Sequence, residues 1–168
     1  MVAIHGSVVV VIDQLLEQLR DDPGVALDDA GVTRARALWA EGHAIDDVLR
    51  QVCRGEEASL LAAVARQFGM ETVDLQRDQP DKQLVGRYPA KVLLDHHLLP
   101  LSEENGSVRV ATSRAFDTEG LDELRVLTGK QVRIALAPEE QIEQVLRRTV
   151  GVGADTLESL ELAERVGI

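Results

Sequence analysis

The side chains that could ligate a metal ion or act as a nucleophile are few in this chain and stand far apart. The one histidine pair is His96-His97, and neighbouring residues on a helix point about 100° apart, so the two rings are poorly placed to hold one ion together. Arg50 and Arg54 flank Cys53, yet no histidine is spaced to act as its base. The sequence therefore predicts no catalytic residue and no metal site. The histidine pair instead suits the C-terminal end of a helix, where positive charge is favoured.

Phosphate-binding signatures are also missing from the sequence. Thr128-Gly129-Lys130 keeps a Gly-Lys pair, but Gln131 follows it and the upstream glycine of a P-loop is lacking. Gly151-Val152-Gly153 has no strand-turn-helix setting, which argues against a dinucleotide site. Acidic pairs stand at loops and helix starts, where solvation and the helix dipole explain them. We therefore expect this chain to bind no cofactor and to catalyse no reaction.

Composition narrows the class of protein further. The 168 residues include 18 basic and 29 acidic side chains, for a formal net charge of −11. That balance argues against a nucleic-acid-binding protein, which needs a basic face, and against charge-driven docking on an anionic membrane. The lone Cys53 excludes an internal disulfide, and the early apolar run at residues 8–12 is far shorter than the roughly 20 residues of a spanning helix. The composition predicts a soluble, acidic, cytoplasmic domain that inserts into no membrane.

The first half of the chain has helical periodicity. Apolar residues recur at helical spacing in four short stretches, separated by acidic loops that contain glycine. Asp28 or Asp29 is placed to cap the second helix, and Gly69 follows the fourth. The pattern predicts a helical subdomain over residues 8–69, whose opening apolar run forms either a first helical turn or a short strand.

From residue 70 the period changes to two. Asn105-Gly106 supplies two positive-φ residues between alternating segments, which predicts a tight hairpin. Residues 131–136 alternate as a strand with one buried face, and Pro138 opens a final helix. The predicted fold class is α+β: an N-terminal helical bundle, then a small α/β subdomain over residues 70–150 with a sheet of 3–4 strands. Residues 151–168 are interpreted as a linker towards a further domain.

Four stretches of this second unit carry a family resemblance. The first, residues 61–75, has a leucine-alanine helix, a glycine and a short strand that ends in Val-Asp-Leu; Leu98-Leu99-Pro100-Leu101 follows, and then residues 121–132 and 137–142. Together they resemble the MshEN-type N-terminal domain of the secretion and type IV pilus assembly ATPases. The resemblance covers residues 60–150.

The resemblance implies a non-catalytic interaction domain ahead of a hexameric P-loop ATPase that uses ATP and Mg²⁺. In that family the domain docks on the cytoplasmic part of an inner-membrane platform protein, which would place this chain at the inner membrane through a partner. Two alternatives remain open. One is a sensor of cyclic di-GMP or another nucleotide, and the other is a cytoplasmic adaptor domain of a membrane glycosyltransferase.

Some members of the family bind cyclic di-GMP through two copies of an Arg-Leu-Gly-x-x-Leu motif. Alignment by the leucines places Val11 and Ala44 where the motif has arginine, and Asp13 and Asp46 where it has glycine. The exchange removes a bidentate cationic donor and adds negative charge beside an anionic ligand. We therefore predict that this chain does not bind cyclic di-GMP in the family's way.

The helical subdomain is the expected docking region. We expect the partner to meet the helices that carry Leu15, Leu19, Val32 and Trp39. Trp39, the single tryptophan, would serve as an anchor if partly exposed; the alternative is that it fills the bundle core.

Overall fold

The computed structural model describes residues 2–4, 8–10 and 12–150 of the chain. The helices among them are α1 (Ile12–Arg20), α2 (Asp29–Ala40), α3 (Ile45–Val52), α4 (Glu57–Phe68), α5 (Lys82–Val85), α6 (Ala90–His96), α7 (Glu119–Thr128) and α8 (Glu139–Thr149). The strands are β1 (Val2–Ile4), β2 (Val8–Val10), β3 (Glu71–Thr72), β4 (Leu99–Glu104), β5 (Ser107–Thr112) and β6 (Gln131–Leu136). The predicted α+β class, with helices first and a small sheet after them, is confirmed.

The N-terminal helices form where the sequence places their start and stop signals. The Asp28 carboxylate accepts the Gly31 N–H at 2.7 Å and so caps α2. Gly69 ends α4 in the left-handed conformation, with φ of 63°. Residues 8–10 of the opening apolar run form β2, antiparallel to β1, whereas Ile12 already belongs to α1. Val11 and the predicted linker at residues 151–168 lie outside the described residues.

The second unit is built on a four-stranded mixed sheet with the order β3-β6-β5-β4. Asn105 and Gly106 have φ of 51° and 75°, and they close the antiparallel β4–β5 hairpin. β6 runs parallel to β5, with Val110 opposite Ile134, and α7 makes the crossover that this parallel pairing requires. The prediction that the hairpin and residues 131–136 share one sheet is confirmed.

Two hydrophobic clusters make up the core, and one of them crosses between the two units. The first cluster holds the buried faces of α1–α4 but also includes Ala115, Phe116 and Leu136 from the second unit. Phe116 meets Phe68 of α4 edge to face, with ring centroids 5.5 Å apart. The second cluster lies among the sheet and α5–α8. The helical unit is therefore packed directly on the loop that follows β5.

The loop between α3 and α4 is held close to the loop between α1 and α2. The Gly55 N–H donates to the Val25 carbonyl at 3.2 Å, and a Cβ at position 55 would lie 2.2 Å from the Gly24 carbonyl oxygen. Only glycine fits this approach.

Among the described residues, no helix has both the length and the apolar character to cross a bilayer.

Candidate functional site

Helix α3 has two different faces, and the polar one meets the α/β unit. Ile45, Val48, Leu49 and Val52 are buried in the first core cluster. The opposite side places charged residues against the loop after β5 and the start of α8. We call this contact the seam, and it consists of Asp46, Asp47, Arg50 and Glu57 from the helical unit with Ser113, Arg114, Phe116 and Glu139 from the α/β unit.

Asp46 is the buried charged residue of the seam, with only 7% of its surface exposed. Its carboxylate accepts the Phe116 N–H at 3.1 Å through Oδ2 and at 3.4 Å through Oδ1. Burial raises the pKa of Asp46 to about 6, although the Phe116 hydrogen bond and the charges of Arg114 and Arg50 oppose the rise. The carboxyl group therefore changes its charge close to neutral pH.

Asp47, the next residue, pairs with Arg114 on the far side of the seam. Arg114 Nη2 donates to Asp47 Oδ1 at 3.2 Å. Its Nε lies 3.4 Å from Asp117 Oδ2 but makes no aligned hydrogen bond, although it is buried. Arg114 thus stands between carboxylates of both units and joins them electrostatically.

Arg50 binds three groups from one guanidinium. It pairs with Glu139 Oε2, donates to Ser113 Oγ at 2.8 Å and reaches Glu57 Oε1 at 3.3 Å. The same Glu57 oxygen accepts the Glu139 N–H at 3.3 Å. Burial alone would raise the pKa of Glu139, but the charge of Arg50 and a hydrogen bond from His97 outweigh it and lower that pKa.

A cavity of about 260 Å³ opens beside Arg50, and it is lined by Arg50, Cys53, Gly55, Glu57, Leu60 and Glu139. Burial raises the pKa of the Cys53 thiol to about 11. The thiol therefore stays protonated at neutral pH, and the cavity holds no activated nucleophile. Its charged groups are already paired with one another, which favours a structural contact over a reaction centre.

The two adjacent histidines contact different elements, because His96 is the last residue of α6 and His97 follows it in the left-handed conformation. His96 Nε2 lies 3.0 Å from Glu123 Oε2 of α7. His97 caps α6 and places Nδ1 at 2.8 Å from Glu139 Oε1 and 3.6 Å from Glu143 Oε1 of α8. The ligand atoms of this histidine and these two glutamates all lie within 4.8 Å of one another. No local pattern in the sequence reveals this cluster, because His97 stands 42 positions before Glu139 and meets the two glutamates only in the fold.

The remaining motif positions stand in different surroundings. Asp13 is exposed on α1 and pairs with Arg36 of α2 at 2.8 Å. Ala44 is the exposed N-cap of α3 and offers no side-chain hydrogen bond. Asp46 lies in the seam, and Val11 lies outside the described residues. The interpretation of these positions as a lost cyclic di-GMP motif stays a prediction.

Three of the four expected docking side chains belong to the core. Leu15, Leu19 and Val32 are 2%, 0% and 6% exposed and pack in the first cluster. This burial corrects the expectation that they touch a partner, because a helix buries its apolar face before it docks anything else. Trp39 is half-buried and packs against the same cluster. A partner on α1 and α2 would therefore meet their exposed polar side chains and the edge of Trp39.

The fold and the seam define a small two-unit α+β domain in which Arg50 and Arg114 pair with carboxylates across the contact between the units. The sequence profile of the MshEN domain matches residues 68–155, more than half of the 168 residues. The chain therefore belongs to the MshEN domain family, and the resemblance noted from the sequence is confirmed.

Similar proteins come from secretion and pilus machinery. Type II secretion system protein E of Xanthomonas campestris pv. campestris is 25% identical over 152 residues, which are 88% of this chain and 26% of that protein. The type IV pilus assembly ATPase PilB of Myxococcus xanthus is 23% identical over 105 residues, 62% of this chain and 19% of that protein. The chain spans about a quarter or less of the length of these curated relatives.

Solved structures share the fold. The structure of MshE with cdg has a TM-score of 0.65 at 23% identity, and the match covers 80% of this chain and 97% of that one. The N-terminal domain of XpsE has a TM-score of 0.62 at 22% identity, with 82% and 92% covered. At these identities the likeness shows the architecture alone.

Proposed function

We propose that this chain is a non-catalytic interaction and regulatory domain of a type II secretion or type IV pilus assembly ATPase. The observation that carries the proposal is the MshEN match, together with relatives that are a type II secretion protein E and a PilB ATPase. ATP and Mg²⁺ would bind in a separate hexameric motor domain. The 168-residue chain itself would work in the cytoplasm, where the cytoplasmic part of a platform protein would hold it at the inner membrane.

The distribution of charge favours the helical unit as the docking surface. Residues 1–75 hold 13 acidic residues against 6 arginines and no lysine. Glu17 of α1 and Asp21 just after it are both exposed. A partner with a basic patch would be steered to this side and oriented by it.

The seam supports a coupling role for the domain. A force on the helical unit reaches the α/β unit through Arg50, Asp46 and the Phe68–Phe116 contact. Paired charges and a shared apolar cluster resist rotation between the two units. A movement that a bound partner imposes on α1 and α2 would therefore also move the sheet.

A pull-down on immobilised cytoplasmic domain of the platform protein tests the docking proposal. The double variant Glu17→Lys/Asp21→Lys reverses two exposed charges on the docking surface and should lose most of its retention. Glu104→Lys/Glu140→Lys makes the same charge change on exposed positions of the α/β unit and should be retained like the unmodified chain. Equal retention of both variants would contradict the assignment of the surface.

A nucleotide sensor is the second candidate, because MshE was solved with cdg, cyclic di-GMP. Two observations argue against that role here. Asp46 brings a carboxylate that already accepts the Phe116 N–H, and Asp13 brings a second one paired with Arg36. An added like charge about 4 Å from an anionic ligand costs several kcal/mol at a near-surface dielectric. Isothermal titration with cyclic di-GMP should show no binding in the low micromolar range, and binding there would favour the sensor.

The glycosyltransferase adaptor is the third candidate. The similarity to two motor ATPases favours the motor over it. A P-loop in the coding sequence after residue 168 would support the motor, and a glycosyltransferase domain there would overturn it.

A further inference from the structure

We propose that His97, Glu139 and Glu143 form a binding site for one divalent transition-metal ion at the junction of α6 and α8. The inference goes beyond docking and assigns a ligand to one residue of the seam, Glu139, and to two residues outside it. It also revises the expectation, drawn from sequence, that the chain holds no metal site.

The geometry of the three ligand atoms suits a single ion. His97 Nδ1 lies 2.8 Å from Glu139 Oε1 and 3.6 Å from Glu143 Oε1, and all three atoms lie within 4.8 Å of one another. An ion bonded at 2.0–2.2 Å in tetrahedral geometry needs ligand atoms about 3.4 Å apart. Small side-chain rotations therefore bring the triangle to the size that the ion requires.

Two elements supply the ligands in fixed positions. Glu139 and Glu143 stand at i and i+4 on the first turns of α8, so their side chains share a face. His97 reaches them from the end of α6. The three side chains are 25–39% exposed, which leaves solvent access for the ion and open coordination positions for water.

His97 takes a backbone conformation that glycine takes at two other helix ends. His97 has φ of 50°, and it is the left-handed cap of α6. At the ends of α4 and α7 the same conformation is taken by Gly69 and Gly129. A glycine at position 97 would adopt it with less strain. A histidine there costs backbone energy, and its imidazole contacts α8.

The charges around the cluster favour a cation. Glu57, Glu139 and Glu143 bring three carboxylates, and the guanidiniums of Arg50 and of the exposed Arg147 offset two of them. With a neutral imidazole the group keeps a net negative charge. Arg50 binds Glu139 Oε2 and so leaves Oε1 turned towards His97, as outer partners orient metal-binding carboxylates elsewhere.

The donor set decides the class of metal. One imidazole nitrogen with two carboxylate oxygens suits Zn²⁺ and neighbouring transition metals, whereas Mg²⁺ prefers oxygen ligands in octahedral geometry. The bound ion would link α6 to α8 and, through Glu139 and Arg50, to the helical unit. Metal binding would therefore stiffen the seam.

Isothermal titration of ZnCl₂ into the 168-residue chain at pH 7.5 tests the site. We expect one Zn²⁺ per chain, no heat from MgCl₂, and a rise in the melting temperature with Zn²⁺. His97→Asn keeps a residue that tolerates the left-handed cap but removes the nitrogen ligand, and Glu143→Gln removes a carboxylate. Each variant should bind Zn²⁺ at least tenfold more weakly.

Two matched variants serve as controls. His43→Asn removes an exposed histidine elsewhere, and Glu140→Gln removes the neighbouring exposed carboxylate of α8; both should bind Zn²⁺ like the unmodified chain. Unchanged binding in His97→Asn would place the ion at another group and overturn the proposal. Absence of a one-site isotherm in the unmodified chain would show that His97 makes only an ion pair with α8, and it would overturn the proposal as well.

Discussion

The two motif-like segments, residues 11–16 and 44–49, carry an aspartate at the same place and put it in opposite surroundings. Asp13 is exposed and pairs with Arg36 of a neighbouring helix, whereas Asp46 is buried and accepts a backbone N–H of the α/β unit. The next equivalent pair differs in the same way, because Glu17 is exposed and Arg50 binds across the seam. One sequence pattern thus serves as a surface in the first segment and as an internal contact in the second.

An aspartate at this place therefore has different structural consequences in the two segments. In the first segment a charged residue simply joins the solvated face of the bundle. In the second the carboxylate joins the two units, so it cannot change without changing the seam. The apolar residues of both segments keep the same role, since Leu16 and Leu49 are equally buried.

The largest effect should come from those shared apolar positions. Leu16→Ala and Leu49→Ala each empty a fully packed site, and each should lower the free energy of unfolding by about 2–5 kcal/mol. Urea unfolding followed by circular dichroism measures both. A loss below 1 kcal/mol in only one of them would break the equivalence of the two segments.

Replacing the two aspartates by asparagine should change stability in opposite directions at pH 8. The pKa of Asp46 is raised in the fold, so its contribution to stability is full at low pH and is lost as the pH rises through about 6. Asp46→Asn keeps an acceptor for Phe116 without the charge. It should match the unmodified chain near pH 4 and exceed it by about 1–3 kcal/mol at pH 8.

Asp13→Asn is the matched control for that measurement. It removes an exposed ion pair with Arg36, so it should lower stability by less than about 1 kcal/mol at pH 8. Unfolding curves between pH 4 and pH 8 report both variants. A destabilised Asp46→Asn at pH 8 would show that the ionised carboxylate stabilises the seam.

Replacing Arg50 and Glu17 by alanine should give a smaller difference in stability. Arg50→Ala leaves Glu139 and Glu57 without their common partner in a half-buried site, and it should cost about 1–2 kcal/mol. Glu17→Ala changes an exposed side chain and should stay within about 0.5 kcal/mol. The hydrogen-exchange rates of the α3 and α8 amides should rise in Arg50→Ala but not in Glu17→Ala. Equal rates in the two variants would contradict the idea that Arg50 joins the two units.

Local signals made much of the fold predictable. Asn105-Gly106 specified the hairpin through its two positive-φ residues, and Asp28 and Gly69 marked helix ends through capping and left-handed geometry. These features depend on a few neighbouring residues. Pattern analysis is reliable for them because the competing conformations are also local.

The seam was not predictable because its partners are distant in sequence. Asp46 meets Phe116 across 70 positions, and Arg50 meets Glu139 across 89. An aspartate at the start of a helix is predicted to be exposed to solvent, because acidic residues at that position usually are. Its burial follows from the packing of α3 on the loop after β5, which no local pattern encodes. The expectation that Leu15, Leu19 and Val32 contact a partner was wrong for the same reason. Periodicity identifies the apolar face of a helix but does not show what covers that face.

In the proposed function this domain works through a protein contact and not through a nucleotide. Isothermal titration of the platform protein's cytoplasmic domain into the 168-residue chain, with and without cyclic di-GMP, tests it most directly. We expect one binding event whose dissociation constant is the same in both titrations. No binding of the partner, or an affinity that shifts tenfold with the nucleotide, would contradict it.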